Sequence, residues 1–126
     1  VCCDHTGVAY AVSKAGLDHL TRYLACEWGP CNVRVNSVDP WFIRTELTEP
    51  LLDDADFRAA VEARTPLRRV GEPSDVSQAV AYLCQAPYVT GQILCVDGGL
   101  TCNGFEYQKP SRENRENDIA GGMGGF

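Results

Sequence analysis

Apolar residues at Val12, Leu17, Leu20, Leu24 and Trp28 fall on one side of a helix that the spacing predicts over residues 8–27. Thr6-Gly7 reads as the loop that leads into it. Gly29-Pro30 is expected to end it, glycine by permitting a left-handed cap and proline by breaking the ladder. Residues 33–38 are short, valine-rich and bounded by turn residues, the pattern of a buried parallel strand that Asp39-Pro40 closes. Residues 47–64 predict one or two short helices with Leu51, Leu52, Phe57 and Val61 on the apolar side. After a connector at 65–71, Glu72-Pro73-Ser74-Asp75 starts another helix, proline suiting its first turn and acid its positive end. Its buried stripe is Val76, Ala79, Val80 and Leu83. Residues 92–96 form a second strand, closed by a turn at Asp97-Gly98-Gly99. Strand, helix, strand with so long a connection implies a right-handed parallel crossover.

The pattern stops near Gln108. Lys109-Pro110-Ser111-Arg112 and the polar run after it, then Gly121-Gly122-Met123-Gly124-Gly125, lack packing groups. A domain over 1–107 followed by a disordered tail at 108–126 is therefore expected. No internal repeat occurs.

The 126 residues are 44% hydrophobic, a globular composition. A net charge of −6 with scattered Lys and Arg argues against a nucleic-acid or acidic-membrane surface. No apolar run approaches a membrane span and no export signal opens the sequence, so a cytoplasmic protein is expected. Seven cysteines, an odd number lying partly within apolar patterns, read as reduced thiols serving as small hydrophobes. Cys2-Cys3-Asp4-His5 lacks ligand spacing, so no metal site is expected. His5 and His19 have no recognisable partners and read as structural or exposed.

Tyr10-Ala11-Val12-Ser13-Lys14 places a phenol and an ammonium one helical turn apart on one face. A positive charge beside a phenol favours its ionised form, the tuning that a general acid for carbonyl reduction requires. By itself the pair is a weak signal. A core tyrosine beside a solvated lysine is the commoner origin of that spacing.

The segments C-terminal to the pair make it specific. Leu24-Ala25-Cys26-Glu27-Trp28, Val33-Arg34-Val35-Asn36-Ser37-Val38-Asp39-Pro40, Trp41-Phe42-Ile43-Arg44-Thr45, Thr65-Pro66-Leu67-Arg68-Arg69-Val70-Gly71-Glu72-Pro73 and Val96-Asp97-Gly98-Gly99 occur in an order and spacing that resembles the C-terminal half of a short-chain dehydrogenase/reductase, closest to the plant tropinone reductase-like branch. The resemblance covers roughly residues 5–105. It implies an α/β fold, the C-terminal part of a Rossmann-type doubly wound parallel sheet with about two strands and three to four helices.

It also implies roles. Tyr10 would donate the proton to a substrate carbonyl, and Lys14 would hold the cofactor ribose. Pro40, Ile43 and Thr45 match the segment that holds nicotinamide and phosphates. Trp41 departs from the glycine common there, and with Phe42 and Leu47 it would line the substrate pocket. Residues 46–67 correspond to the substrate lid, although Leu47, Leu51, Leu52 and Phe57 read individually as core faces more readily than as pocket walls. The implied reaction is NAD(P)-dependent reduction of a small carbonyl or oxidation of the alcohol, with NADP(H) favoured by analogy. The first helix would serve a homo- or hetero-oligomer.

Two parts of the pattern are missing. No glycine-rich turn joins a strand to a helix, and Gly121–Gly125 has no strand before it. The family's catalytic serine lies roughly a dozen or more residues before the tyrosine. Only nine residues precede Tyr10, and Ser13 is part of the helical motif. The expectation is a truncated chain that is inactive alone, with an open strand edge and a partly covered first helix. The alternative is a non-catalytic remnant that associates with an intact relative.

Overall fold

The computed structural model describes residues 7–104. Within them a long helix α1 (Gly7–Trp28) leads to strand β1 (Ser37–Pro40). Two short helices, α2 (Glu49–Leu52) and α3 (Ala55–Arg64), are followed by α4 (Pro73–Gln85) and strand β2 (Ile93–Val96). The strands pair in parallel, Ser37 opposite Ile93 and Pro40 opposite Val96. The fold is thus α/β with a two-stranded parallel sheet, as the pattern predicts. Residues 108–126, His5, Cys2 and Cys3 lie outside the described residues.

β1 starts four residues later than predicted and runs through Asp39-Pro40 instead of stopping before it. In residues 33–36 one backbone bond, from the Gly91 amide to the Val35 carbonyl at 2.7 Å, is joined by side-chain bonds. The Val35 amide donates to Thr90 Oγ1 at 3.1 Å and the Gln92 amide to Asn36 Oδ1 at 3.1 Å. Pro40 is tolerated because Ser37 and Trp41 donate across to Gln92 and Val96. Position 40 therefore has its nitrogen on the opposite edge, where no strand lies among the described residues.

α1 ends at Trp28 in a short 3₁₀ turn over Gly29–Cys31. The left-handed residue is Asn32, with φ 61°, and not Gly29. Asn tolerates that conformation, and its amide closes on the Gly29 carbonyl at 2.9 Å. The predicted core stripe of α1 is largely uncovered, with Val12, Leu17, Leu20 and Trp28 exposed and Leu24 half-buried. Thr21 and Ala25 are its buried residues. The expected partly covered helix is what the structure has.

The core lies under the predicted lid. Leu52, Val61 and Val70 are buried together, with Trp41, Phe42 and Phe57 against them. Phe42 meets Trp41 edge-on at 4.8 Å between ring centres, and Phe57 at 5.4 Å. Asp54 caps α3 by accepting the Asp56 and Phe57 amides. Arg34 closes the other end of α4. Its guanidinium donates to the carbonyls of Leu83, Cys84 and Val89 at 2.6, 2.9 and 3.2 Å, satisfying acceptors that a helix terminus leaves open.

Two expectations need correction. In α4, Val80 is exposed, and burial centres on Leu83 with Val76 and Ala79 half-buried. Cys26, Cys31, Cys84, Cys95 and Cys102 are free but exposed, so they do not fill a core. They sit on element faces that no other described residues cover.

Candidate functional site

Tyr10 and Lys14 do share one face of α1. The Lys14 ammonium stands over the Tyr10 ring, 5.2 Å from its centre, a cation–π arrangement. The phenol is 51% exposed, which leaves it open to a substrate. The Ser13 hydroxyl donates to the Tyr10 carbonyl at 2.7 Å, a bond within the helix. His19 is exposed on the same helix.

The segment after β1 is held by several hydrogen bonds. Ile43 pairs with Gly71 in a parallel bridge, the Arg44 amide donating to Gly71 O at 2.9 Å and the Gly71 amide to Phe42 O at 3.0 Å. The Thr48 hydroxyl then ties the loop to itself. It lies 2.5 Å from the Ile43 carbonyl, 3.0 Å from the Thr45 amide and 3.1 Å from the Thr45 hydroxyl. Thr45 and Pro40 are exposed at the surface of this segment, whereas Ile43 is buried.

A cleft of about 580 Å³ opens beside it, walled by Trp41, Phe42 and Ile43, by Leu67, by the first turns of α4 and by Leu94, Cys95 and Val96 of β2. Its polar wall is the Arg69–Asp75 pair. The Trp41 indole nitrogen is buried without a hydrogen-bond partner among the described residues. An orphaned donor of that kind costs about 1–3 kcal/mol. Asp97 anchors the turn after β2 as predicted, accepting the Gly99 amide, the Thr101 amide and the Thr101 hydroxyl. Burial alone would push the Asp97 carboxyl up, but these hydrogen bonds outweigh it and hold it below the usual carboxylate range.

The structure therefore joins Trp41, Phe42 and Ile43 in one cleft and Tyr10 and Lys14 on one helix face. No hydrogen bond, ion pair or ring contact links the two groups. Leu47 belongs to neither, being 87% exposed and outside the cleft. It precedes α2 on the side away from the core that Leu52 enters. Sequence reasoning missed Thr48 and the Arg69–Asp75 pair. For Thr48 the available signal was a threonine just ahead of Glu49-Pro50, a helix-start pattern. For Asp75 it was an acid at the third position of the helix that Pro73 opens.

A family model described as enoyl-(acyl carrier protein) reductase matches residues 2–101. A tropinone reductase homolog of Arabidopsis thaliana is 53% identical over 104 residues, which is 81% of this chain and 39% of that protein. The chain belongs to the short-chain dehydrogenase/reductase family, tropinone reductase-like. Two solved structures of the family superpose well. Gluconate 5-dehydrogenase from Burkholderia cenocepacia, in complex with NADP and tartrate, aligns with TM-score 0.74 at 33% identity over 80% of this chain and 40% of its own. 4-Hydroxyisoleucine dehydrogenase complexed with NADH aligns with TM-score 0.73 at 38% identity over 75% of this chain and 40% of its own. The chain thus spans about two fifths of the length of the relatives it matches. Membership in an oxidoreductase family acting on small molecules lends nothing to the association-only alternative. Among the described residues no helix is long and apolar enough to cross a membrane, and no group of three or more His, Cys, Asp or Glu could hold a metal ion.

Proposed function

We propose that this chain carries the proton-transfer half of an NADP(H)-dependent oxidoreductase that reduces a small carbonyl compound or oxidises the corresponding alcohol. The observation that carries the reading is the Tyr10–Lys14 pair, with the ammonium over an exposed phenol, in a chain about half identical to tropinone reductase homologs.

The bound dinucleotide supplies the hydride. The chain's own residues handle the proton and the binding. Tyr10 donates its phenolic proton to the carbonyl oxygen and recovers it when the reaction runs toward oxidation. Lys14 holds ribose hydroxyls from the same face. Pro40, Ile43 and Thr45 receive the nicotinamide end. The exposed Thr45 hydroxyl and the orphaned Trp41 donor fit the polar end of such a group. Trp41, Phe42 and Leu47 are assigned to the substrate side, Leu47 as a surface residue that a ligand would have to cover.

These residues do not fit a pyrophosphate. Among the 126 residues no glycine-rich turn joins a strand to a helix. Weak dinucleotide binding and no turnover by these residues alone are therefore part of the proposal. NADP(H) over NAD(H), a cytoplasmic setting and an oligomer through α1 belong to it too. The exposed Leu17 and Leu20 on α1 support the last.

Calorimetric titration of NADPH and NADH into the 126-residue chain tests the reading. Saturable binding near about 1 mM that weakens by about tenfold in Lys14→Ala supports it. No binding of either dinucleotide at about 10 mM overturns it.

A further inference from the structure

Three asparagines fall among the described residues, Asn32, Asn36 and Asn103, and the fold treats them very differently. We infer that Asn103 is a modification site, where the Gly104 amide nitrogen attacks the Asn103 side chain and water completes its conversion to isoaspartate and aspartate. The fold directs this chemistry to Asn103 by tying down the other two.

The step is an intramolecular displacement followed by hydrolysis. The Gly104 nitrogen bonds to Asn103 Cγ, the Cγ–Nδ2 bond breaks, and Nδ2 leaves as ammonia with the proton that Gly104 gives up. Water then opens the cyclic imide. Addition at the side-chain carbonyl leaves aspartate. Addition at the backbone carbonyl leaves isoaspartate, with the peptide link running through the side chain. Nothing is oxidised or reduced. Closure needs a side-chain amide free to swing, an attacking nitrogen whose N–H is free, and no branched Cβ crowding that nitrogen.

Asn103 meets all three conditions. Among the described residues its side-chain amide has no hydrogen-bond partner, and only its backbone N–H is engaged, with the Leu100 carbonyl at 3.3 Å. The Gly104 amide donates to no described residue. Gly104 is exposed, and no described residue lies within 4 Å of a Cβ built on it, so the ring has room.

The other candidates fail. Asn36 is held at both ends of its amide, Nδ2 donating to the Val89 carbonyl at 3.0 Å and Oδ1 accepting the Gln92 amide at 3.1 Å. Its attacking nitrogen would be that of Ser37, which donates to the Gln92 carbonyl at 2.9 Å. Asn32 is followed by Val33, whose branched Cβ crowds the nitrogen and whose amide donates to the Trp28 carbonyl at 3.2 Å. Asp97-Gly98 is the aspartate counterpart of the reactive pair. Ring closure there would sacrifice the bonds that the Asp97 carboxylate accepts from Gly99 and Thr101.

Each conversion replaces a neutral amide by a carboxylate, taking the formal net charge of −6 one unit further negative. Isoaspartate also adds a backbone methylene directly after the turn that holds the buried Leu100.

The test incubates the 126-residue chain at neutral pH and maps its peptides by mass spectrometry, with chromatography separating aspartyl from isoaspartyl forms. A blocked peptide of residues 100–104 is the unfolded reference. Asn103 in the chain is expected to convert within about tenfold of the peptide's rate, and at least about tenfold faster than Asn32 or Asn36. In concentrated urea Asn36 should speed up while Asn103 changes little, since the fold restrains only the first. Gly104→Val, a change at an exposed site, should slow Asn103 by about tenfold or more. Conversion of Asn103 more than about tenfold slower than the peptide, conversion of Asn32 or Asn36 at a matching rate, or an unchanged rate in Gly104→Val overturns the inference.

Discussion

Arg69 holds Asp75 with both arms of its guanidinium, Nη1 to Oδ2 at 2.7 Å and Nη2 to Oδ1 at 3.0 Å. The same carboxylate accepts the Glu72 amide at 2.8 Å, so one acid both opens α4 and ties the 65–71 connector to it. Two-pronged pairing of this kind fixes orientation as well as charge. It positions one wall of the cleft.

Asp75 makes acid stability depend on this contact. Arg69 first, and then the Glu72 amide, hold its carboxyl down to about 2. A carboxyl depressed in the folded state contributes stability that is complete above its ordinary value of about 3.9 and is lost as pH falls through the folded one. Thermal melts should show Asp75→Asn less stable than wild type at pH 7, with the gap closing between about pH 4 and pH 2. A gap unchanged at pH 2 would mean the pair contributes nothing through ionisation.

Asp18 works in the opposite direction. Burial raises its carboxyl above the ordinary value, and Asp39 on β1 adds like charge and a hydrogen bond, with Arg22 opposing. A raised acid contributes stability only while protonated, at low pH, and the contribution disappears as pH rises through the raised value. Asp18→Asn should therefore raise the melting temperature at pH 7 and give no gain at pH 3. A larger gain at pH 3 would contradict the assignment.

The lid helices separate core from surface between neighbours. Leu52 is fully buried beside Val61 and Val70, whereas Leu47 is almost wholly exposed. Leu52→Ala is expected to cost about 2–5 kcal/mol, and Leu47→Ala less than about 0.5 kcal/mol. Denaturant unfolding of the two variants checks the difference. Similar losses in both would place Leu47 in contacts that the structure does not give it.

Much of this was legible in the sequence, for identifiable reasons. Gly29-Pro30, Pro73 and Asp97-Gly98-Gly99 punctuate the chain chemically, so the ends of α1, the start of α4 and the turn after β2 fell close to where they were expected. The Tyr10–Lys14 face is a consequence of helical geometry alone. What escaped depends on path. An apolar stripe records a face suited to burial but not what covers it, and so Leu17 and Leu20 read as core. Valine content pointed to residues 33–36 as strand, yet only the Gly91 amide meets that stretch backbone to backbone, at the Val35 carbonyl, and the Thr90 and Asn36 side chains make the other bonds. Thr48 acts on Ile43 and Thr45 only because the loop folds back on itself, and residue types alone do not encode that return.

Gly98 links the turn after β2 to the connector, and both its backbone conformation and its surroundings favour glycine. Its φ is +62°, a left-handed conformation that costs a residue with a Cβ about 1–2 kcal/mol. A Cβ there would also stand 2.5 Å from the Thr65 methyl and 3.6 Å from Leu67 Cβ. Thr65 cannot yield, because it is buried and its hydroxyl donates to the Val61 carbonyl at 2.7 Å. Relief would have to come from the connector, which the Leu67 amide pins to the Gly98 carbonyl at 3.1 Å. Strain and overpacking therefore add, and Gly98→Ala should destabilise the chain by about 2–4 kcal/mol. Gly104→Ala is the matched control, since among the described residues nothing lies within 4 Å of a Cβ built there. Equilibrium unfolding of the two variants measures the difference. A Gly98→Ala chain as stable as the Gly104→Ala control would show that the turn can move away from Thr65, and the close contact between turn and connector would then have no structural consequence.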